Sequence, residues 1–340
     1  MEKETNAVDL LKLLFAICVV GIHTQVLDQF SERTNWYITH LLFRLAVPFF
    51  FIASGYFFGK KFLLVADDVK KRRGICRQYI FRNTPMFLFW STIGLIWYFI
   101  VLLSERSNHI LLRMIRTAVF YPRGAMWFLA ASMVAVLLIG LLWDHKIILI
   151  LLSGGGYCFA LIATTYYFLV NGTWIGKIVD LYMLVFISAR NGIGVGLIYI
   201  GLGVWISKDN NSVMKWKMSS IVIVNIILYI ILMFEMDFIY GKYVLDDSSC
   251  FMILPFLSVM IFVFALKISV PYSKEDSIKI RKISTYLYCL HPVFNDYVGT
   301  ILFKIYNNYI MRFVVVLGLC FMTWIVTKNS KNKFIRVILP

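Results

Sequence analysis

The stretch VDLLKLLFAICVVGIHTQVL at residues 8–27 decides the fold, because about 20 apolar residues in a helix cross the hydrocarbon core of a bilayer. The shorter stretch 192–206 is also predicted to cross the bilayer. The apolar run 178–188 before it is predicted to form a half-helix on the outer side. The sequence therefore predicts an all-α fold, a polytopic membrane helix bundle of about ten transmembrane helices in one domain, 1–340. The ten predicted spans are 8–27, 41–58, 85–103, 127–143, 147–168, 192–206, 218–234, 251–266, 283–303 and 311–327.

The overall composition excludes a soluble globular protein. Hydrophobic residues make up 60% of the 340 residues, and the mean hydropathy is +0.78, which leaves too little polar surface to cover a globule. The net charge of +16 does not indicate a nucleic-acid partner, because the basic residues follow the loops between predicted spans. With the N-terminus inside, 22 Lys and Arg fall in inner segments and 10 in outer ones. The positive-inside rule therefore predicts two cytoplasmic termini in the cell (plasma) membrane. The acidic loop 235–250, with Glu235, Asp237, Asp246 and Asp247, falls outside.

Several conspicuous residues carry no predicted chemistry. The six cysteines show no pairing pattern and are predicted to be small apolar fillers. Near loops, His40, His109 and His145 are predicted to be ordinary exposed histidines, and Gly154–Gly156 is expected to permit close helix packing or a bend. No His, Cys and acidic spacing resembles a metal site, so we expect no metal. The first apolar run lacks a cleavage site, so we expect it to remain as the first transmembrane helix.

Three ionisable residues lie in this first predicted helix. Asp9, Lys12 and His23 persist in an apolar segment, where a charge is costly and is usually retained for a function. Eleven residues separate Lys12 from His23, which puts both on one helical face about 16 Å apart. One interpretation has Lys12 at the cytoplasmic mouth binding an anionic ligand and His23 acting as a base or nucleophile. The alternative is a Lys12 that extends to the interface and a His23 that only bonds to a neighbour.

The second predicted helix also contains polar and helix-breaking residues. Arg44 lies near its outer end, Pro48 is predicted to kink it, and Ser54-Gly55-Tyr56 is predicted to open its inner end. Packing roles for Pro48 and Gly55, and an interface anchor for Arg44, are the alternatives.

Polar residues also lie at the start of, or within, three later helices. Trp127 begins the fourth predicted span, where tryptophan is an ordinary interface residue. The pair Arg190 and Asn191 precedes the sixth, and its positive dipole end favours a site for a carboxylate or another anionic oxygen. Deep in the ninth lie His291 and Asn295, with Asp296 adjacent, and we expect them to line a cavity.

The order and spacing of five segments along nearly the whole chain resemble the membrane acyltransferase 3 family. The segments are DLLK…H in the first helix, RLAVPFFFIASGYFF at 44–58, MWFL at 126–129, ISARNG at 187–192 and YLYCLHP at 286–292. This resemblance implies about ten helices and transfer of acyl groups, often acetyl from acetyl-CoA, onto extracytoplasmic glycans and other surface polymers. The family hallmark is an arginine eleven residues before the histidine of the first helix, and Lys12 stands in its place here. Lysine keeps the charge but lacks the planar fork that binds phosphate bidentately.

Within the family, MWFL, ARNG, DDSSCFMILPF and YLYCLHP make the chain most similar to the membrane half of VanT-type serine racemases of vancomycin resistance. In those proteins the membrane domain precedes a pyridoxal-phosphate racemase and is associated with serine supply. The chain ends at Pro340, so we expect a stand-alone protein or the membrane half of a larger one.

Two main functions are compatible with the sequence. The first is an acyltransferase that takes an acyl group from cytoplasmic acyl-CoA, with no permanently bound cofactor, and gives it to an extracytoplasmic glycan or similar acceptor. Its catalytic residue would be His23, and Lys12 with Asp9 would bind the donor. The acceptor or ligand would contact Arg44, Ser54, Tyr56, Trp127, Arg190, Asn191, His291 and Asn295. The second is an L-serine binding or uptake domain without acyltransfer activity. A plain membrane anchor is a third, weaker alternative.

Expected partners are membrane lipids, acyl-CoA and the acceptor or L-serine, with a homodimer left open. The basic loop from Lys60 to Arg82 has three candidate uses. The first is topology, the second is binding of anionic lipid, and the third is attraction of acyl-CoA phosphates.

Overall fold

The fold is known from a computed structural model, which describes residues 6–242 and 249–339. Every regular element in these ranges is helical. The α-helices are α1 Asn6–Thr24, α2 Glu32–Leu41, α3 Ala46–Phe62, α4 Val69–Ser104, α5 Ile110–Phe120, α6 Met126–Leu142, α7 Lys146–Ile162, α8 Trp174–Phe186, α9 Leu197–Lys208, α10 Asn210–Lys215, α11 Met218–Ile239, α12 Leu254–Lys267, α13 Lys274–Phe294, α14 Thr300–Tyr306, α15 Tyr309–Thr327 and α16 Lys333–Ile338.

Helices lie over each of the predicted apolar stretches. Within the described ranges, five helical segments are long and apolar enough to cross a membrane: α1, Glu32–Val65, α4, α11 and α15. Four shorter apolar helices accompany them: α6, α7, Gly192–Lys208 and α12. The prediction of an all-helical fold is therefore confirmed for the described residues, and these apolar helices are compatible with a membrane bundle. Asp246 and Asp247 of the acidic loop, and Lys3, fall outside the described residues.

The closest helix packing joins α3 to α9 through glycines. A Cβ atom placed on Gly55 would lie 2.2 Å from the carbonyl oxygen of Ile200, and one on Gly203 would lie 2.2 Å from that of Ile52. Such contacts need the absence of a side chain, because the two backbones touch. The packing interpretation of Gly55 is therefore the one that the structure supports.

The kink predicted at Pro48 is wrong. A 3-10 turn, Phe43–Leu45, precedes α3, which begins at Ala46, so Pro48 is its third residue. The first backbone N–H groups of a helix have no acceptor within the helix, so proline removes no bond there. The prediction that Ser54-Gly55-Tyr56 opens the inner end is also wrong, because α3 continues to Phe62 and Gly55 packs against α9.

Two smaller predictions are met only in part. The run 178–188 does contain helix, since α8 covers Trp174–Phe186 with Leu181 and Leu184 exposed. Of the three consecutive glycines, only Gly156 packs closely, with its Cβ position 2.6 Å from the carbonyl oxygen of Ile193. The other two glycines face open space. Close packing therefore explains one of the three positions.

A buried arginine joins the start of α4 to the turn between α6 and α7. The Arg72 side chain is only 3% exposed, and its Nη1 donates to Asp144 Oδ1 at 2.8 Å and to the carbonyl oxygen of Ala66 at 2.9 Å. Its Nη2 donates to Asp144 Oδ2 as well. This bidentate hydrogen bond lowers the pKa of the Asp144 carboxyl group below its ordinary value. One cation of the basic loop is therefore structural.

Candidate functional site

Two histidines meet where α1 ends. The ring of His23, in the last turn of α1, lies 5.0 Å from the ring of His291 in α13, measured between centroids. His23 is exposed, whereas His291 is completely buried. The expectation that His291 lines a cavity therefore needs correction, because His291 is buried behind His23 instead.

The hydrogen bond of His291 defines its tautomer. Its Nδ1 lies 2.7 Å from the carbonyl oxygen of Leu287. A carbonyl oxygen can only accept, so Nδ1 must carry the proton, and in the neutral ring Nε2 is then an acceptor. This Nε2 atom is buried and has no hydrogen-bond partner within the described residues. A buried imidazole acceptor thus lies next to the exposed ring of His23.

Two arginines lie within electrostatic reach of His23. The positive charges of Arg44, in the turn before α3, and of Arg190, before the π-helical turn Gly192–Gly196, both act electrostatically on the His23 ring. Three sequence segments that are far apart therefore bring their charged residues to one end of the bundle. Such cations would stabilise negative charge that develops beside His23.

Aromatic rings position Arg190. The Tyr121 and Trp127 rings are stacked at 6.1 Å with an interplanar angle of 16°. The guanidinium carbon of Arg190 lies 5.7 Å and 5.5 Å from their respective centroids. Guanidinium groups bind aromatic faces by cation–π attraction, which restricts their orientation. Trp127 therefore acts through Arg190, and Tyr121 is a contributor that sequence reasoning missed because no motif marks it.

Asn191 has a structural task. Its Oδ1 accepts hydrogen bonds from the backbone N–H groups of Ile193 and Gly194, both at 3.0 Å, and its Nδ2 donates to the Tyr182 hydroxyl at 2.5 Å. These bonds occupy the helix N-terminus that was expected to bind an anion. The anion site predicted for Arg190 and Asn191 together is thus reduced to the Arg190 guanidinium.

The other predicted ionic group lies near the beginning of α1. Lys12 Nζ is 3.5 Å from Asp9 Oδ1, and Ser277 of α13 donates to Asp9 Oδ2 at 2.8 Å. The Lys12 ammonium also lies 4.7 Å from the centre of the Phe57 ring. The charge of Arg281 acts on Lys12 as well. Two cations within electrostatic reach of each other and one buried carboxylate therefore lie at this end, which suits a ligand with several negative charges.

Three predicted ligand residues form contacts between helices. The Tyr56 hydroxyl donates to Asn210 Oδ1 at 3.1 Å, and the side chain of Tyr56 is fully buried. Ser54 faces the Tyr79 hydroxyl. Asn295, one turn beyond His291, accepts from Arg312 Nε at 2.9 Å. Each of these contacts joins two helices, so these three side chains stabilise packing around the site.

A cavity of about 320 Å³ opens beside Arg44. Its lining includes Asp28, Glu32 and His40 from the segment between α1 and α3. The prediction that His40 is exposed is wrong, because His40 is 5% exposed and its Nδ1 lies 2.7 Å from the carbonyl oxygen of Trp36. Its ring packs between Trp36 and Phe251, which the sequence does not reveal. The positions of His109 and His145 are exposed, as predicted.

Comparison with known proteins identifies the family. A model of the family described as "Acyltransferase domain" matches residues 5–327. The chain belongs to the acyltransferase 3 family. Its relatives include an amino-acid racemase of Enterococcus faecalis, 24% identical over 98% of this chain and 47% of the racemase. A serine/alanine racemase of Enterococcus gallinarum is also 24% identical, over 85% of this chain and 40% of that protein.

This acyltransferase 3 chain spans less than half the length of the curated relatives that it matches. The resemblance to membrane-bound serine racemases is confirmed at this low identity. No solved structure matches the chain significantly.

Proposed function

We propose that this protein is a plasma-membrane acyltransferase that moves an acetyl group from cytoplasmic acetyl-CoA to an extracytoplasmic acceptor such as a cell-surface glycan. The proposal takes the chain as one ten-span domain with both termini in the cytoplasm, as the loop charges indicate. The observation that carries it is the exposed His23 ring, backed by His291 and surrounded by the charges of Arg44 and Arg190. A base beside two cations suits acyl transfer, which needs both proton removal and stabilisation of an oxyanion.

These residues can supply each step of acyl transfer. One nitrogen of His23 removes the proton from an acceptor hydroxyl, and the oxygen attacks the thioester carbonyl carbon of the donor. Arg44 and Arg190 stabilise the negative oxygen of the tetrahedral intermediate. The carbon–sulfur bond then breaks, the thiolate takes the proton from His23, and the products are the acetyl ester and the free thiol. In an alternative order, His23 first accepts the acetyl group itself.

His291 would position the base. Its Nε2 can accept a hydrogen bond from the N–H of one His23 nitrogen when that ring turns toward it, as a carboxylate orients histidine in hydrolases. With one His23 nitrogen donating this hydrogen bond to His291, the other His23 nitrogen would act as the base. His291 is a positioning residue in this proposal and does not contact the substrate.

The donor would enter at the other end of α1. Lys12 and Arg281 provide positive charge for the CoA phosphates, and about 16 Å of helix separates Lys12 from His23. That length is on the scale of the pantetheine arm, which would extend toward His23 with its thioester. No permanently bound cofactor is required.

The test is calorimetric binding of acetyl-CoA to the detergent-purified protein, followed by transfer of radiolabelled acetyl to glycan acceptors. We expect His23→Ala to bind the donor and to abolish transfer, whereas Lys12→Ala weakens donor binding. His145→Ala, an exposed histidine far from α1 in sequence, is the matched control and should retain both. Wild-type transfer by His23→Ala would contradict the proposal.

A second candidate is an amino-acid binding domain, as the similarity to amino-acid and serine/alanine racemases suggests. One observation favours it: the cavity beside Arg44 carries both signs of charge, with Arg44 opposite in charge to Asp28 and Glu32. A zwitterion such as L-serine could pair its carboxylate and ammonium with these groups. Binding of L-serine without any binding of acetyl-CoA would favour this function over acyl transfer.

A further inference from the structure

A basic cavity of about 580 Å³ lies where α13, the end of α15 and α16 meet. Four of its lining residues are cationic: Lys282, Lys328, Lys331 and Arg336. The ten residues that line this cavity include no aspartate or glutamate. Positive charge in a concave surface without acidic partners attracts an anion, because the low-dielectric walls strengthen the local field.

Hydrogen bonds define the shape of this basic cavity. Thr327 Oγ1 donates to the Tyr286 hydroxyl at 3.0 Å, which joins α15 to α13. Arg336 Nε donates to the carbonyl oxygen of Ser330 at 3.1 Å, so the turn before α16 orients this guanidinium group. That contact uses only Nε, so the Nη groups of Arg336 can donate hydrogen bonds to an anion.

A distant aromatic residue fixes α16 in place. Trp90 Nε1 in α4 donates to the carbonyl oxygen of Ile338 at 2.9 Å, and the rings of Phe89 and Phe334 pack edge to face at 5.4 Å. The helix α16, which forms one wall of the basic cavity, is therefore held against α4.

The cavity lies at the level where α15 would leave the bilayer. Val326, next to the lining residue Thr327, is 80% exposed, and Phe334 on α16 is 56% exposed. Trp324, whose ring the Lys328 ammonium approaches at 5.3 Å, is a typical residue of the membrane interface. Exposed apolar side chains beside clustered cations fit a ligand that has acyl chains next to a negatively charged group.

The geometry points to a binding site for a phosphate group at this cavity, with the phosphodiester of an anionic phospholipid headgroup as the ligand that its position favours. A soluble phosphate compound offers the same chemistry without acyl chains. Acyl transfer at His23 needs no such site, so this inference is independent of the proposed function.

The experiment uses the full chain, purified in a neutral detergent and checked for monodispersity. Binding is measured by native mass spectrometry with phosphatidylglycerol, phosphatidylcholine and inorganic pyrophosphate as separate probes. The cavity variant is Lys331→Gln with Arg336→Gln. The matched control is Lys215→Gln with Lys217→Gln, which removes two exposed charges at the junction of α10 and α11, outside both the basic cavity and the basic loop. A third variant, Arg336→Lys, also lacks the Nε bond to Ser330 but keeps the positive charge. It therefore separates the effect of losing the charge from the effect of displacing α16.

We expect phosphatidylglycerol to bind better than phosphatidylcholine, and its affinity to fall about tenfold or more in the cavity variant and to stay unchanged in the control. Arg336→Lys should keep most of the affinity. Pyrophosphate that binds alone and displaces phosphatidylglycerol would support the phosphate site with a soluble source. Wild-type binding by the cavity variant, or an equal loss in cavity and control variants, would overturn the inference.

Discussion

The His23 and His291 rings lie 5.0 Å apart, and this contact joins the end of α1 to the fully buried part of α13. Because His291 donates from Nδ1 to Leu287, its orientation is fixed by the helix to which it belongs. A rigid imidazole behind an exposed one limits how the exposed ring can turn. In the proposed acyl transfer, the activity of His23 should therefore depend on His291, a residue placed outside substrate contact.

The first prediction concerns His291→Phe, which keeps an aromatic ring but removes Nε2. We expect kcat for acetyl transfer to fall by about tenfold to a hundredfold, because the base loses its orienting partner. KM for the acceptor should change little, since the acceptor does not touch His291. Steady-state kinetics with His145→Phe as the exposed control would measure both parameters. An unchanged kcat would remove His291 from the mechanism.

The second prediction concerns Arg190→Lys. The charge is kept, but an ammonium group cannot stack on the Tyr121 and Trp127 rings as a planar guanidinium does. We expect kcat/KM to fall by about tenfold or more, with Trp127→Leu giving a similar loss because it releases the same guanidinium. Kinetics of the double variant would test the link, since two changes that act through one group are non-additive. Fully additive losses would separate Trp127 from Arg190.

The helices were predictable because each bilayer-length apolar run is a local property of the sequence. His23 and Arg190 could be singled out in the same way, since a charged or imidazole side chain stands out within or beside an apolar run. The contact of His23 with His291 and the electrostatic effect of Arg190 on His23 could not be predicted. They depend on how helices far apart in the chain pack, and hydropathy does not specify that packing.

Two failures have specific physical reasons. Pro48 does not kink its helix because a 3-10 turn before Ala46 moves the helix start to within three residues of the proline. His40 is buried because α2 is a separate helix whose Trp36 and His40 face the bundle, whereas the sequence indicated a loop. Both errors arise from the segment that joins α1 to α3. Hydropathy alone does not distinguish a short polar helix such as α2 from a loop.

The third prediction concerns Gly55→Ala. The added methyl group would lie 2.2 Å from the Ile200 carbonyl oxygen, so α3 and α9 would have to separate. Such overpacking costs about 1–3 kcal/mol, and we expect a lower thermal unfolding temperature in detergent. Gly154→Ala is the matched control, because its Cβ position faces open space and alanine favours a helix by about 1 kcal/mol over glycine. Equal stability of the two variants would contradict the close α3–α9 contact.

The fourth prediction concerns the pH dependence of the pair formed by Arg72 and Asp144. Because the pKa of Asp144 is lower in the folded protein, the pair stabilises the fold above the ordinary aspartate pKa and loses its effect as pH falls through the lowered value. Asp144→Asn should therefore reduce the unfolding temperature by a few degrees at pH 7, and the difference from wild type should shrink below about pH 4. Differential scanning fluorimetry of both proteins across this range measures it, with the exposed Asp209→Asn as the control for general charge effects. A difference that persists unchanged at low pH would mean that Asp144 acts by packing rather than by charge.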